Sequence, residues 1–393
     1  MPIALFALTI SAYAIGTAEF VLVGIIPIIS ADLSVSVPSA GLLVSLYALG
    51  VAVGAPLLTA ATGKMSRKTL LLCLMVVFTL SNLYAWQAPG FVSLIVARII
   101  TGMAHGVFYS IASTIAASLV PKDKATSAIA IMFAGLTVAL VTGVPLGTFI
   151  AQHLGWRATF LSVSVLGMIA FAGSLLLIPR GIKKSEPTPV RFLLRVLTTP
   201  QLILAYSLTA VGYGGSFITF TYLASTLEEI SGFSPAAVSG VMLVYGFAAA
   251  LGNLYGGRIS DKHGPINALK IIFLLLSLVL FALYLTASNS WLMLVTTFVW
   301  GAAAFANVPV LQYLAVREAE KFVPEAVDVA SGLNISAFNI GIAGGTWIGG
   351  LVVMHFGLLH TTWLAGAVVF FAFLLSIFAG ALQKRERSTE AAY

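Results

Sequence analysis

Apolar runs of membrane-crossing length recur from one end of this chain to the other, broken by short stretches rich in charge, glycine or proline. Taken between those breaks, they fall at about 3–29, 38–61, 69–87, 91–119, 125–150, 158–179, 201–225, 235–256, 266–287, 290–314, 326–352 and 360–381. A hydrocarbon core of roughly 30 Å needs about 20 apolar residues per helical span. In lipid a helix is also the only open segment that satisfies its own backbone hydrogen bonds. The pattern predicts an all-α integral membrane protein with twelve transmembrane helices. No Lys or Arg cluster precedes the first run, which is too long for the apolar core of a signal peptide, so it is expected to remain as the first helix.

Composition agrees, because 60% of the 393 residues are hydrophobic and only 8% are charged, against about 25% charged in an ordinary soluble domain. The formal net charge of +7 could suggest a nucleic-acid partner. However, the basic residues sit in short clusters between apolar runs and make no continuous face for a phosphate backbone. Their distribution instead reads as topology. Eighteen of the 20 Lys and Arg residues fall in the even-numbered connections and the C-terminal tail, Arg157 alone in an odd-numbered connection, and Arg98 inside a span. By the positive-inside rule both termini are expected in the cytoplasm. The single cysteine, Cys73, allows no intrachain disulfide, and no metal-binding cluster is visible; no cofactor or metal is expected.

The longest connection, Arg180 to Thr199, carries five basic residues and divides the spans six and six. Shifting the first half by 198 residues superposes Gly16 on Gly214, Tyr47 on Tyr245, Gly54 on Gly252 and Lys64 on Lys262. The expected organisation is an N-terminal six-helix bundle over 1–179, a cytoplasmic linker over 180–199 and a C-terminal bundle over 200–393. Such a duplication is a common plan among secondary transporters.

Several motifs sharpen this picture. Between spans 8 and 9 the chain reads Gly257-Arg-Ile-Ser-Asp261-Lys-His-Gly264, whose glycines permit a tight turn and whose carboxylate can cap a helix end or pair with an Arg. At the corresponding place in the first half, Thr62-Gly-Lys-Met-Ser-Arg-Lys68 has Gly63 where Asp261 would stand, so any carboxylate latch is asymmetric; Lys64, Arg67 and Lys68 read mainly as topology signals. Span 4 contains Arg98-Ile-Ile-Thr-Gly102-Met-Ala-His105-Gly106, and span 5 contains Gly143-Val-Pro145-Leu-Gly147, a sequence suited to close packing and bending. With Thr17-Ala-Glu19-Phe20 in span 1 and Gly155-Trp-Arg157 after span 5, the whole chain resembles the major facilitator superfamily. Within it, the likeness is to twelve-helix drug:proton antiporters of the bacterial sugar-efflux permease type. The resemblance implies two pseudo-symmetric six-helix bundles, the major facilitator fold. It also implies that Gly257, Asp261, Gly264, Gly143, Pro145 and Gly147 take part in conformational switching.

Away from the ends of the predicted spans, in the membrane interior, stand three strongly ionisable residues: Glu19, Arg98 and His105. At about 1.5 Å per residue, Glu19 lies roughly 14 Å below the outer end of its helix, and Arg98 and His105 roughly 9 Å and 20 Å below that of span 4. Arg98 and His105, seven residues apart, share a helix face. If that face meets span 1, the three form one titratable cluster suited to proton coupling. The competing readings are a buried Glu19–Arg98 pair that only locks two helices, and a structural histidine. By resemblance, Glu19 and His105 belong to a central cavity and proton site, and Asn339 is a cavity asparagine that contacts substrate hydroxyls. Asn334 lies on the same span, while Tyr213 and Tyr222 in span 7 offer ring surfaces. For all four, interhelical bonding or packing is the alternative.

These readings lead to an expected function: a proton-coupled antiporter of the inner membrane that exports a sugar or sugar analogue, with protons, a small molecule and lipid as its partners. It is expected to be monomeric and not an enzyme. An exporter of amphipathic antibiotics such as amphenicols and a proton-coupled uptake symporter are the rivals on the same fold.

Overall fold

The computed structural model describes residues 3–62, 65–119, 125–179 and 195–390, and among these the regular structure is entirely helical. The helices are α1 (Ala4–Asp32), α2 (Val37–Ala61), α3 (Arg67–Trp86), α4 (Phe91–Ser118), α5, α6 (Trp156–Leu177), α7, α8 (Pro235–His263), α9 (Pro265–Thr286), α10 (Ser290–Phe322), α11 (Val327–Phe356) and α12 (His360–Glu390). Two of them are interrupted. α5 runs as Ala125–Val138, a π-helical turn Ala139–Gly143 and Val144–Leu154, and α7 runs as Pro200–Phe220 and Leu223–Glu229. Each of the twelve contains a stretch long and apolar enough to cross a membrane.

Local chemistry sets the helix ends. Ser66, Ser234 and Asn289 accept from the backbone N–H three residues on, satisfying an otherwise unpaired donor at the start of α3, α8 and α10. Gly155 and Gly264 stand between consecutive helices at φ +83° and +78°, a region costly for a residue with a Cβ. Three helices outrun the apolar windows: α8 continues to His263, α10 to Phe322 and α12 to Glu390. Charged residues end a membrane window, yet they do not break an i→i−4 ladder, so the helix continues into the polar zone. The Gly257–Gly264 motif, expected as a loop, is therefore mostly the last turns of α8, and the chain turns only at Gly264.

Packing repeats in the two halves. α1 packs on α5 as α7 packs on α11, α2 on α4 as α8 on α10, and α3 on α6 as α9 on α12. Glycine permits the closest approaches. A Cβ on Gly54 would stand 2.7 Å from the Met103 Cα, and one on Gly252 would collide with the Ala302 carbonyl. Two seams join the halves, α2 with α11 and α5 with α8, and each is the pseudo-equivalent of the other. Ser45 Oγ donates to the Ala343 carbonyl (2.5 Å) and Ser336 Oγ to the Ala52 carbonyl (3.3 Å) across the first seam. In the second, Ser239 Oγ donates to Gln152 Oε1 (3.2 Å), whose own amide reaches the Pro235 carbonyl.

Charge caps both ends of the first half. Lys68 Nζ donates to the carbonyls of Leu175 (2.7 Å) and Ile178 (2.5 Å) at the end of α6, so it has a capping role beyond topology. At the opposite end Arg157 pairs with Asp32 (2.7 Å), lies over the Trp156 ring (4.2 Å) and donates to the Ala88 carbonyl, tying α1, α6 and the α3–α4 connection together. Lys64 and the segment 180–194 lie outside the described residues, as does the side chain of Asp261.

Candidate transport site

The site is built around the middle of α1. This helix packs on α2, α4, α5, α6, the second segment of α7 and α8, so it occupies the interior of the molecule. Its neighbours Ala18 and Phe20 are buried, whereas Glu19 is partly exposed. Beside it, Phe20 meets Phe305 of α10 edge-on at 6.1 Å, a contact from the first half to the second.

Arg98 is almost completely buried, but it does not close an ion pair with Glu19. Ion pairs form elsewhere, at Arg157–Asp32 and Arg317–Glu318. Arg98 Nη1 instead donates to the Ala18 carbonyl (2.8 Å) and Nε to the Leu43 carbonyl (3.5 Å), with the guanidinium over the Tyr47 ring at 4.0 Å. Nη2 has no hydrogen-bond partner. A locking pair would have used both charges; here the cation is held by backbone and a ring while the carboxyl stays unpaired.

His105 lies on the same face of α4 and bonds Tyr47 Oη through Nδ1 at 2.8 Å. It also packs against Tyr109, whose hydroxyl donates to the Ala12 carbonyl and whose ring stacks on Phe133 at 5.2 Å. The structure thus brings Glu19, Arg98 and His105 into one region, with Tyr47 as the connecting residue. Sequence reasoning missed Tyr47 and Tyr109 as site residues, although Tyr47 already stood out as one of the duplicated positions.

The facing wall is aromatic. Tyr213 meets Phe217 (5.1 Å), Phe305 (6.0 Å) and Phe338 (5.0 Å), while Phe220 stacks on Tyr245 (4.8 Å) beside Trp300, whose Nε1 donates to Ser216 Oγ. Only part of this wall, the α7 rings, was legible beforehand. Asn339 is buried with Nδ2 on the Ile335 carbonyl (3.0 Å) and Oδ1 unpartnered, and on α10 neither amide atom of buried Asn307 has a partner. Asn334 and Tyr222 are taken up by protein. Asn334 accepts from Thr209 (2.7 Å) and donates to Gln312 (2.9 Å), and Tyr222 Oη donates to the Thr346 carbonyl while packing against Gly41 of α2 and Gly350. Among the described residues no group of three or more His, Cys, Asp or Glu side chains is arranged to hold a metal.

The motif glycines of α5 serve its contact with α1. Gly143 closes the π turn against Thr17, Pro145 opens the following segment, and Gly147 fits against Val21. Pro145 lacks the N–H that would continue the ladder, and the π turn sits immediately before it.

Twelve helices in two repeated halves around one polar, ring-lined centre define a membrane transporter. The sequence profile described as Major Facilitator Superfamily matches residues 8–323, and the chain belongs to that family. It is 49% identical to the MFS-type transporter YtbD of Bacillus subtilis over 98% of this chain and 97% of that protein. It is 39% identical to the inner membrane transport protein YdhP of Escherichia coli over 89% of this chain and 88% of the relative. A protein named chloramphenicol resistance protein, from Streptomyces lividans, is 34% identical over 90% of each chain.

Proposed function

We propose that the chain is a proton-coupled antiporter that exports a small molecule across the inner membrane. In this reading the halves 1–179 and 200–393, linked through 180–199, rock about the Glu19 region as a monomer, with both termini cytoplasmic. The observation that carries it is the Glu19 carboxyl, partly exposed and without a partner, beside an Arg98 whose Nη2 is also free. Ionised, Glu19 draws on that guanidinium and favours one opening. Protonated, it lets go and the halves can rock. Tyr47 and His105 hold the cation in place and tune its surroundings.

The substrate in this reading is uncharged. The centre offers one carboxylate already opposed by Arg98, together with rings and the amides of Asn339 and Asn307, which suits a sugar or sugar analogue. An amphenicol is the second reading, favoured by the name of the Streptomyces relative and by the ring-lined wall; uptake by symport is the third. The test is reconstitution into liposomes with an internal pH dye and a panel of sugars, nucleosides and amphenicols. A substrate-dependent proton flux opposite to substrate movement is expected. Flux in the same direction supports symport, and transport with no proton movement rejects coupling. A reporter fused after Tyr393 should be active in the cytoplasm; activity only outside the cell rejects the orientation.

A further inference from the structure

A cavity lies away from Glu19, where the basic ends of α8, α9, α10 and α12 meet. It measures about 160 Å³ and is lined by His263, Asn267, Lys270, Arg317, Gly380 and Gln383, among others. None of its lining residues, among the described residues, is acidic. Two permanent cations and a histidine therefore converge on one space from three helices, with two side-chain amides between them.

Among the described residues, the carboxylate bonded to this cavity's lining belongs to Glu318. Glu318 is buried, accepts from Arg317 (2.6 Å) and Gln383 (3.1 Å), and lines an adjoining apolar cavity beside Leu204, Leu208 and Leu382. It holds Arg317 and Gln383 in place and offsets part of the Arg317 charge. Lys270 has no such partner. Its ammonium reaches only the neutral Asn267 Oδ1, at 3.4 Å, and lies against α12, where a Cβ on Gly380 would stand 2.5 Å from Nζ. Glycine at 380 thus leaves room for a cation that lines the cavity and has no ion-pair partner among the described residues. Partly buried ammonium groups usually find an anion. Here a phosphate would find the Lys270 ammonium, with the Arg317 guanidinium and His263 lining the same space.

We infer that this cavity binds a phosphate anion, supplied either by the headgroup of an anionic phospholipid or by free phosphate. Bound there, the phosphate bridges the Gly264 elbow and α12, bracing the connection that carries the Gly257–Gly264 motif. The inference is independent of the transport mechanism proposed for Glu19.

The experiment compares the full chain with Lys270→Gln, Gly380→Ala and Lys270→Arg. In one arm, inorganic phosphate is titrated into delipidated detergent-solubilised protein and the unfolding temperature followed. In the other, protein is extracted from phosphatidylcholine nanodiscs with or without phosphatidylglycerol, and retained lipid is counted by native mass spectrometry. The expected result is retention of phosphatidylglycerol or stabilisation by phosphate, weakened about fivefold by Lys270→Gln, reduced by Gly380→Ala and restored by Lys270→Arg. Retention of phosphatidylglycerol assigns the site to a headgroup, and stabilisation by phosphate without lipid retention assigns it to the free anion. No binding in either arm, or binding unchanged by Lys270→Gln, overturns the inference. Unfolding temperatures without ligand establish that each variant is folded.

Discussion

The two halves share a frame and differ in what hangs on it. In the first, Gly102 of α4 lies against the Tyr47 carbonyl of α2; in the second, Gly301 of α10 lies against the Tyr245 carbonyl of α8. With these contacts superposed, Arg98 falls on Thr297 and His105 on Ala304, while the 198-residue shift of α1 onto α7 places Glu19 on Phe217. Tyr47 accordingly lies beneath a guanidinium and bonds a histidine, whereas Tyr245 stacks on Phe220 and meets Trp300 edge-on at 5.1 Å. Glycines and other small residues set how closely the backbones approach, and the side chains placed on that frame decide whether it carries charge or rings. Ionisable groups in lipid are costly, so gathering them in one half leaves the other free to present apolar surface.

The largest expected effect follows from the Glu19–Phe217 correspondence. Glu19→Gln keeps size and hydrogen bonding but cannot titrate, so uphill efflux and substrate-induced proton release should fall to background in proteoliposomes, with binding retained by calorimetry. Phe217→Ala should do the reverse, weakening substrate binding while each transported molecule still moves its proton. Normal proton release from Glu19→Gln would sink the assignment.

Next in size is a test of the common frame. Gly54→Val and Gly252→Val should each destabilise the protein by about 1–3 kcal/mol through overpacking, measured as a lower unfolding temperature in detergent. The two losses should be comparable because both glycines face helix backbone. A loss confined to Gly54→Val would mean that the second-half seam is not built as described.

Smaller effects separate the two tyrosines. Tyr47→Phe removes the hydroxyl bonded to His105, at a cost of about 0.5–1.5 kcal/mol for one hydrogen bond, and should lower the transport rate up to about tenfold. Tyr245→Phe keeps the stacked ring and should leave transport within about twofold of the parent, a small effect because the ring contacts persist. Equal effects would erase the distinction between a charged and an aromatic half. The motif copies give a related contrast, in which Asp261→Asn should impair transport more than Lys64→Ala, measured at matched membrane levels.

Much of the fold was legible in the sequence because membrane spans are encoded additively. Each run of apolar residues reports its own span, whatever its neighbours do, and the twelve windows correspond to twelve helices. Where the windows fell short, as at α8, α10 and α12, hydropathy marks where a helix leaves lipid but backbone bonding decides where it ends. The ionisable residues of the candidate site were legible for a similar reason, since Glu19, Arg98 and His105 stand out against apolar surroundings.

Partners are a different matter. Depth along a helix can be counted from sequence, but rotation about its axis and its approach to other helices cannot, so one-dimensional counting allowed a Glu19–Arg98 pair. The tertiary structure gives the Arg98 guanidinium to the Ala18 and Leu43 carbonyls and the Tyr47 ring, and leaves Glu19 without an ion-pair partner among the described residues. The same limit hid the taking up of Asn334 by Thr209 and Gln312, and the joining of Phe305 and Phe338 to Tyr213. Polarity and span number belong to each segment by itself, whereas every contact in the candidate site joins residues of different helices and exists only once their faces are turned toward one another.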